Sequence, residues 1–396
     1  MSRKKKRRKV KKKTGRPKAF YFLFWLFLSG GIALGLFLYL YPSNSGPANS
    51  RPLYEETYLR STELHDRIRL IDHIIYECLY KNGVEESEVF FVAVRPKKKG
   101  HHEWEFTELI IRLKDKDSML RLERAMNDAL IKFRPKIDIQ NQRLSGRERV
   151  CNMYSLGLYT HKVRLIKKED KREKSHDLPK IAIIIDDMGY NKNLAYSFMD
   201  MNLPLCFSVL PLAPYTETIV AEARKRGREL LLHLPMEPKG YPGIDPGPGA
   251  LLMDMEAEEV KTRVDYLVKK IPGLKGVNHH MGSSYTERLD KMEIILKELK
   301  KRNLFYVDSR TTNRTVAFEA ARKLGVPVAK KNLFLDHEPS PHAIRLQMER
   351  LLGIARYSGT AVGIGHPQKE TLGVIYEYLE KLKNDFEVVP VSELVS

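Results

Sequence analysis

The chain is predicted to be an α/β protein. Its C-terminal part reads as a (β/α) barrel, closed or nearly closed, preceded by a small α+β module and one N-terminal transmembrane helix. Three observations predict this. After Pro179, short apolar runs alternate with amphipathic stretches at intervals of roughly 25 to 40 residues, the rhythm of repeated βα units. Between residues 53 and 166 the order is instead helix, hairpin, helix, hairpin. Residues 19–41, AFYFLFWLFLSGGIALGLFLYLY, carry no charge at all.

Taken in order, residues 1–18 form a basic tail. Arg3 to Lys18 hold twelve cations and no acid, so of the formal charge of +19 only +7 belongs to the rest of the chain. That remainder is modest for 396 residues and argues against nucleic acid as a partner. The stretch 19–41 would rise roughly 35 Å as a helix, enough to cross a bilayer, with Phe20, Tyr21 and Trp25 at one end and Tyr39 and Tyr41 at the other. The cations before it place the N-terminus in the cytoplasm and everything after Tyr41 outside, in the periplasm or beyond, anchored in the inner membrane by a single pass. A cleaved signal peptide competes with this reading, but its apolar region is normally shorter and no small-x-small site follows before Pro42. Residues 42–52, rich in Ser, Asn, Gly and Pro, read as a stalk. Three cysteines (Cys78, Cys151, Cys206) are too few for a disulfide framework and lack metal-site spacing.

Within the accessory module, residues 53–166, Leu64, Ile68, Ile71, Ile75 and Leu79 recur at helical spacing, and Gly83 is placed to end that helix. Residues 88–96 and 103–113 read as a hairpin, 118–133 as a second helix capped by Asp117 or Ser118, and 150–157 with 159–166 as another hairpin. No catalytic constellation is visible here. Residues 167–179 are charged and nearly free of apolar side chains, a linker across which few contacts are expected.

From residue 180 to 396, strand-like runs are expected at 181–185, 203–210, 229–234, 274–278, 304–307, 326–329, 360–364 and 387–391. Helices are expected at 215–226, 257–270, 291–302, 316–324, 341–357 and 370–383. The carboxyl ends of the strands share a property. They run into Asp186-Asp187, His233-Leu-Pro-Met-Glu237, Asn278-His279-His280-Met-Gly-Ser283, Asp308-Ser-Arg310, Asp336 and His366. In a parallel sheet all of these converge on one rim, and a basin of carboxylates and histidines is a metal site with catalytic partners.

The motifs IDDMG (185–189), HLPMEP (233–238), GVNHHMGS (276–283), VDSRT (307–311), FLD (334–336) and GIGHP (363–367) resemble those of the divergent polysaccharide deacetylase family. The resemblance covers slightly over half the chain. That family is in turn similar to the wider NodB-like carbohydrate esterases, with an irregular (β/α) barrel and a divalent metal, usually zinc. The resemblance implies Asp186 as general base, Asp187 as metal ligand, His233 as a second ligand and His366 as general acid. It leaves the third ligand open, because Glu237 stands where the superfamily has its second histidine and the Arg-x-Pro-Tyr motif has no counterpart. His280, which keeps the family pattern where His279 departs from it, is the first choice and Glu237 the alternative. Asp308 is assigned to orienting a histidine, and Asn278, Ser283, Arg310 and Asp336 to substrate. The implied activity is hydrolysis of an N- or O-acetyl group on an envelope or extracellular polysaccharide. A barrel that binds such a glycan without turnover is the competing class, favoured by the altered metal motif.

Overall fold

The structure, a computed structural model, describes residues 63–168 and 178–396. The basic tail, the apolar stretch 19–41, the stalk and linker residues 169–177 lie outside the described residues. Among the described residues no helix is long and apolar enough to cross a membrane.

The N-terminal module begins with α1 (Glu63–Lys81), whose apolar face buries Leu64, Ile68, Ile71, Ile75 and Leu79 as their spacing requires. Strands β1 (Val89–Lys99) and β2 (His102–Leu113) form the expected hairpin around Gly100, which takes φ +60° at its tip. Helix α2 (Lys116–Ile131) starts earlier than expected. Its cap is Asp115, whose carboxylate accepts the Ser118 amide at 2.7 Å, rather than Asp117 or Ser118. Then come β3 (Ile137–Arg143), β4 (Glu148–Ser155) and β5 (Leu158–Lys167). Strand β3 escapes the sequence reading because it is a sheet edge, and only Ile137 and Ile139 of its seven residues are buried. The five strands make one sheet in the order β1-β2-β5-β4-β3, with β2 and β5 parallel, so the two hairpins join into a single layer edged by β1 and β3.

The C-terminal part alternates as predicted. Its elements are β6 (Lys180–Met188), α3 (Lys192–Met199), β7 (Cys206–Val209), α4 (Thr216–Lys225), β8 (Glu229–Met236), α5 (Ala257–Lys269), β9 (Gly276–Met281), α6 (Leu289–Lys301), β10 (Phe305–Asp308), α7 (Ala317–Leu324), β11 (Val328–Lys330), β12 (Leu333–Phe334), α8 (Pro341–Ser358), β13 (Thr360–Gly365), α9 (Lys369–Glu377), α10 (Leu379–Asp385) and β14 (Glu387–Val388). Helix α3 was not among the expected helices, and the single helix expected at 370–383 divides at Tyr378 into α9 and α10.

The pairings of these strands are all parallel, in the order β11-β10-β9-β8-β7-β6-β13-β12 with β14 beside the start of β6. Among the described residues β11 and β12 are not paired, so the sheet is an open α/β half-barrel and not a closed barrel. Its concave side is filled by Ala182, Ile184, Leu231, Val307, Val362 and Ile364. Its convex side carries Ile181, Ile183 and Ile185 against the helices. Burial on both faces is why these strands read as unbroken apolar runs.

The expectation of few contacts between the two parts does not hold. The described residues fall in one compact unit. Helix α8 lies against β1, so close that a Cβ on Gly353 would stand 2.5 Å from the Phe91 ring. Beside it Arg350 of α8 reaches the Asp72 carboxylate of α1 at 2.5 Å, and His161 of β5 meets the same oxygen at 3.1 Å. All three side chains are buried.

Candidate metal centre

Strand β6 ends in two adjacent carboxylates, which in a regular strand would point to opposite faces. Here the register with β7 shifts between Ile185 and Met188, where three steps along β6 match two along β7. Asp187 takes a left-handed φ of 52°, a conformation that costs a non-glycine residue energy and clusters at functional sites. This bulge brings both carboxylates to one imidazole. His233 lies with Nδ1 3.8 Å from Asp186 and Nε2 2.9 Å from Asp187. Gly189 follows at φ +144°, with no room for a Cβ against Ala213. Two further rim residues, Met281 and Arg310, are left-handed as well, at 55° and 49°.

Asn278, fully buried on β9, ties the basin together. Its Nδ2 donates to both oxygens of Asp186, at 2.8 and 3.0 Å, which fixes the orientation of the amide. Its Oδ1 therefore faces Ser208 Oγ at 2.5 Å and His233 Nδ1 at 2.9 Å, so both of those groups donate to it. With Nδ1 carrying the hydrogen, a neutral His233 presents the Nε2 lone pair to the Asp187 carboxylate. His280 Nδ1 comes within 2.8 Å of the same oxygen. Neither Asp187 oxygen has a partner in hydrogen-bond geometry, although both are buried. The His233 Nε2 lone pair and the Asp187 oxygen, two acceptors 2.9 Å apart, require positive charge between them, either a proton on that imidazole or a shared cation. Asp187, His233 and His280 offer one oxygen and two nitrogens within 4.8 Å of one another, a donor set that suits a divalent cation such as zinc.

Electrostatics follow from burial and these neighbours. Burial alone would raise Asp187, but His280 and His233 hold its carboxyl well below the usual range. Asp186 goes the other way, because burial outweighs its histidine neighbours and Asn278 and raises it. Burial opposes charge on His233, yet Asp186 and Asp187 prevail and raise it.

On the far side of the basin His366 stands at the end of β13. Its Nδ1 meets Asp336 at 2.7 Å, and its backbone amide donates to the other oxygen of that carboxylate at 2.6 Å. Thr371 donates to Asp336 as well, at 2.5 Å. Burial works against the imidazolium, but Asp336 outweighs it and His366 is pushed up to about 9.

The site residues expected from sequence divide accordingly. Asp186, Asp187, His233, His280 and His366 come together. Glu237 does not join them, because its carboxylate accepts the Met253 amide at 2.8 Å, and among the described residues the three-donor cluster excludes it. Among the described residues Asp308 meets no histidine; it accepts the amides of Arg310 and Phe318 and the Thr315 hydroxyl, which pins the turn into α7. The histidine-orienting carboxylate is Asp336, expected to touch substrate but buried against His366. Asn278, likewise expected to touch substrate, orients Asp186 and His233 from full burial. Ser283 accepts the Lys239 amide at 3.0 Å, and Arg310 is half-buried at the rim. Ser208 and Thr371 were missed, since neither belongs to a chemistry-bearing motif. Beside His280 a cavity of about 90 Å³ opens, lined by Tyr190, Leu210, Pro211, Pro235, Asp245 and Pro246.

Comparison with known proteins agrees with this architecture. A protein of Escherichia coli K12, the uncharacterized YibQ, is 33% identical over 217 residues, covering 55% of this chain and 67% of its own. An uncharacterized protein of Haemophilus influenzae Rd is 32% identical over 215 residues, covering 54% and 76%. The crystal structure of the uncharacterized ATU2773 from Agrobacterium tumefaciens C58 superposes with a TM-score of 0.54 at 25% identity, over 57% of this chain and 92% of that one. The profile of the divergent polysaccharide deacetylases matches residues 183–395, from the middle of β6 almost to the end, and the chain belongs to that family.

Proposed function

We propose that the protein is a metal-dependent deacetylase of an acetylated polysaccharide, held at the inner membrane by residues 19–41 with its folded part outside the cytoplasm. The observation that carries the reading is the meeting of Asp187, His233 and His280, three buried groups whose ligand atoms lie within 4.8 Å of one another, with neither Asp187 oxygen in hydrogen-bond geometry with a partner. A divalent cation bound there, zinc by the donor set, would polarise the acetyl carbonyl and acidify a water in its open position. Asp186, fixed by Asn278 and raised by burial, is placed to accept a proton from the attacking water. His366, whose Nδ1 is held by Asp336, is placed to protonate the leaving sugar nitrogen or oxygen. The water oxygen bonds to the acyl carbon, the bond from that carbon to the sugar breaks, and acetate leaves. The non-catalytic reading rests on Glu237 replacing a histidine. Glu237 is engaged by the Met253 amide while His280 joins the other two donors, which favours hydrolysis.

The test is metal content and acetate release on the full chain. Asp187→Asn, His233→Ala and His280→Ala should each weaken zinc binding by more than the roughly 10–100-fold typical of losing an outer partner. Glu237→Ala should stay within about tenfold of the parent. Asp186→Asn should keep zinc and lose acetate release. A parent protein that takes up no metal after zinc is added, and releases no acetate from acetylated glycans, assigns the barrel to glycan binding instead.

A further inference from the structure

The accessory sheet has two unlike faces. Its inner residues, Leu109, Ile111, Met153, Val163 and Leu165 among them, share a core with α1 and α2, and α8 meets the sheet through Phe91 on that same side. The outer set is different in kind. Phe106 and Tyr159 lie with ring centroids 4.9 Å apart, and Tyr154 stacks on Tyr159 at 5.1 Å. Cations lie among these rings. Lys97 Nζ sits 4.2 Å from the Phe106 centroid and 5.2 Å from that of Tyr159, and the Arg112 guanidinium sits 4.1 Å over Phe90. Arg95 pairs across the hairpin with Phe106 and is exposed.

The charges on this face are not balanced. Glu108 and Glu148 are taken by Lys162 at 3.1 Å and Arg164 at 2.7 Å. Among the described residues no carboxylate pairs with Arg95, Lys97 or Arg112. Long cations lying over apolar rings are an ordinary way to cover a sheet, and that accounts for the packing of Lys97 and Arg112. It does not account for Arg95 and Lys97, two residues apart on β1, and Arg112 at the far end of β2, all three without a counter-charge on a face that also offers half-buried tyrosines.

We propose that this outer face binds a carboxylate-bearing polysaccharide. Arg95, Lys97 and Arg112 take its acidic groups, and the Tyr154–Tyr159 pair packs against a sugar ring. Guanidinium and ammonium groups form charge-assisted hydrogen bonds to carboxylates, and aromatic rings offer flat apolar area with a polar tip. The choice of a glycan over other polyanions rests on the proposed function. The binding itself does not, because it needs neither metal nor turnover. The face would hold a polymer on the same compact unit that carries the metal centre.

The test is binding of the full chain to fluorescent polygalacturonate, with dextran as neutral polymer and polyphosphate and a single-stranded oligonucleotide as other polyanions. The basic tail contributes equally to every variant, so comparisons between variants isolate the face. Arg95→Glu with Lys97→Glu should weaken polygalacturonate binding at least tenfold. Arg124→Glu with Lys132→Glu, the same charge change at exposed positions on and just after α2, should leave it within about twofold. Should the first pair disturb folding, Arg112→Gln and Tyr154→Ala, each with an unchanged melting temperature, should each weaken binding severalfold. Equal loss from both charge-reversal pairs overturns the proposal, as does polyphosphate or oligonucleotide binding that is as tight and as sensitive to the face. Normal acetate release in a variant that no longer binds polygalacturonate would leave the proposed function standing and confirm that the two sites are separate.

Discussion

Replacing Asp336 with Asn should lower the charge state of His366 and, with it, the pH range in which the protein is most stable. Burial resists the imidazolium, and Asp336 overcomes that resistance to bring His366 to about 9. Against an unperturbed value of about 6.5, the difference corresponds to ~3 kcal/mol of preferential interaction with the protonated ring, at ~1.4 kcal/mol per pH unit. The sign follows from the raised value. This stabilisation is fully present below about pH 6.5 and is lost as pH rises towards 9. Asparagine keeps the shape and an acceptor oxygen but removes the charge, so the ring should titrate at or below 6.5. The variant should lose ~3 kcal/mol at pH 6 and much less at pH 9.5. Ring resonances followed by NMR in metal-free protein give the first quantity, and urea unfolding at the two pH values gives the second. A His366 that still titrates near 9 in the variant, or a stability loss that is the same at both pH values, would refute the assignment of Asp336 as its charge partner.

Two further substitutions probe the scaffold. His279→Asn restores the residue usual in the family and is expected from sequence to be nearly silent, but His279 Nδ1 lies 2.6 Å from the buried Tyr306 hydroxyl. Losing that partner should cost about 1–3 kcal/mol in urea unfolding while zinc affinity stays within a few-fold; a variant as stable as the parent would show the contact to be dispensable. Gly353→Ala gains about 1 kcal/mol of helix propensity, yet its Cβ would stand 2.5 Å from the Phe91 ring and 3.3 Å from the Phe91 amide. Overpacking of about 1–3 kcal/mol should win, and a raised urea midpoint would mean that α8 and β1 are not packed this closely.

Much of the site was legible because of where it sits. In a parallel sheet buried on both faces, a strand is an apolar run, and the first polar residue after it marks the rim. That rule points to the segments Asp186-Asp187, His233, Asn278-His279-His280 and His366, and the family resemblance chooses Asp187 and His280 within them. What the rule does not see is direction. Asn278 and Asp336 occupy rim positions like the others, but they turn into the protein and hold neighbours, and only the network shows it. The opening of the half-barrel was also hidden, since β11 and β12 are too short to reveal in sequence whether they pair. The union of the two parts was invisible for another reason. Asp72 and Arg350 look like ordinary surface charges in their helices, and only burial against each other shows that they are not.

The bulge at the end of β6 has a consequence for how such chains vary. One residue fewer between Ile185 and Met188 would restore a regular strand, and one of the two carboxylates would then swing into the apolar layer beneath the helices, where an unpaired charge costs several kcal/mol. Spacing at this point is therefore not free to drift: a deletion damages folding and chemistry together, so no intermediate form keeps one without the other. Identity at position 187 is under the opposite tension. Its left-handed backbone suits glycine or asparagine better than aspartate, so relaxed variants that are sturdier without metal lie one substitution away, and each gives up the carboxylate on which the donor set converges.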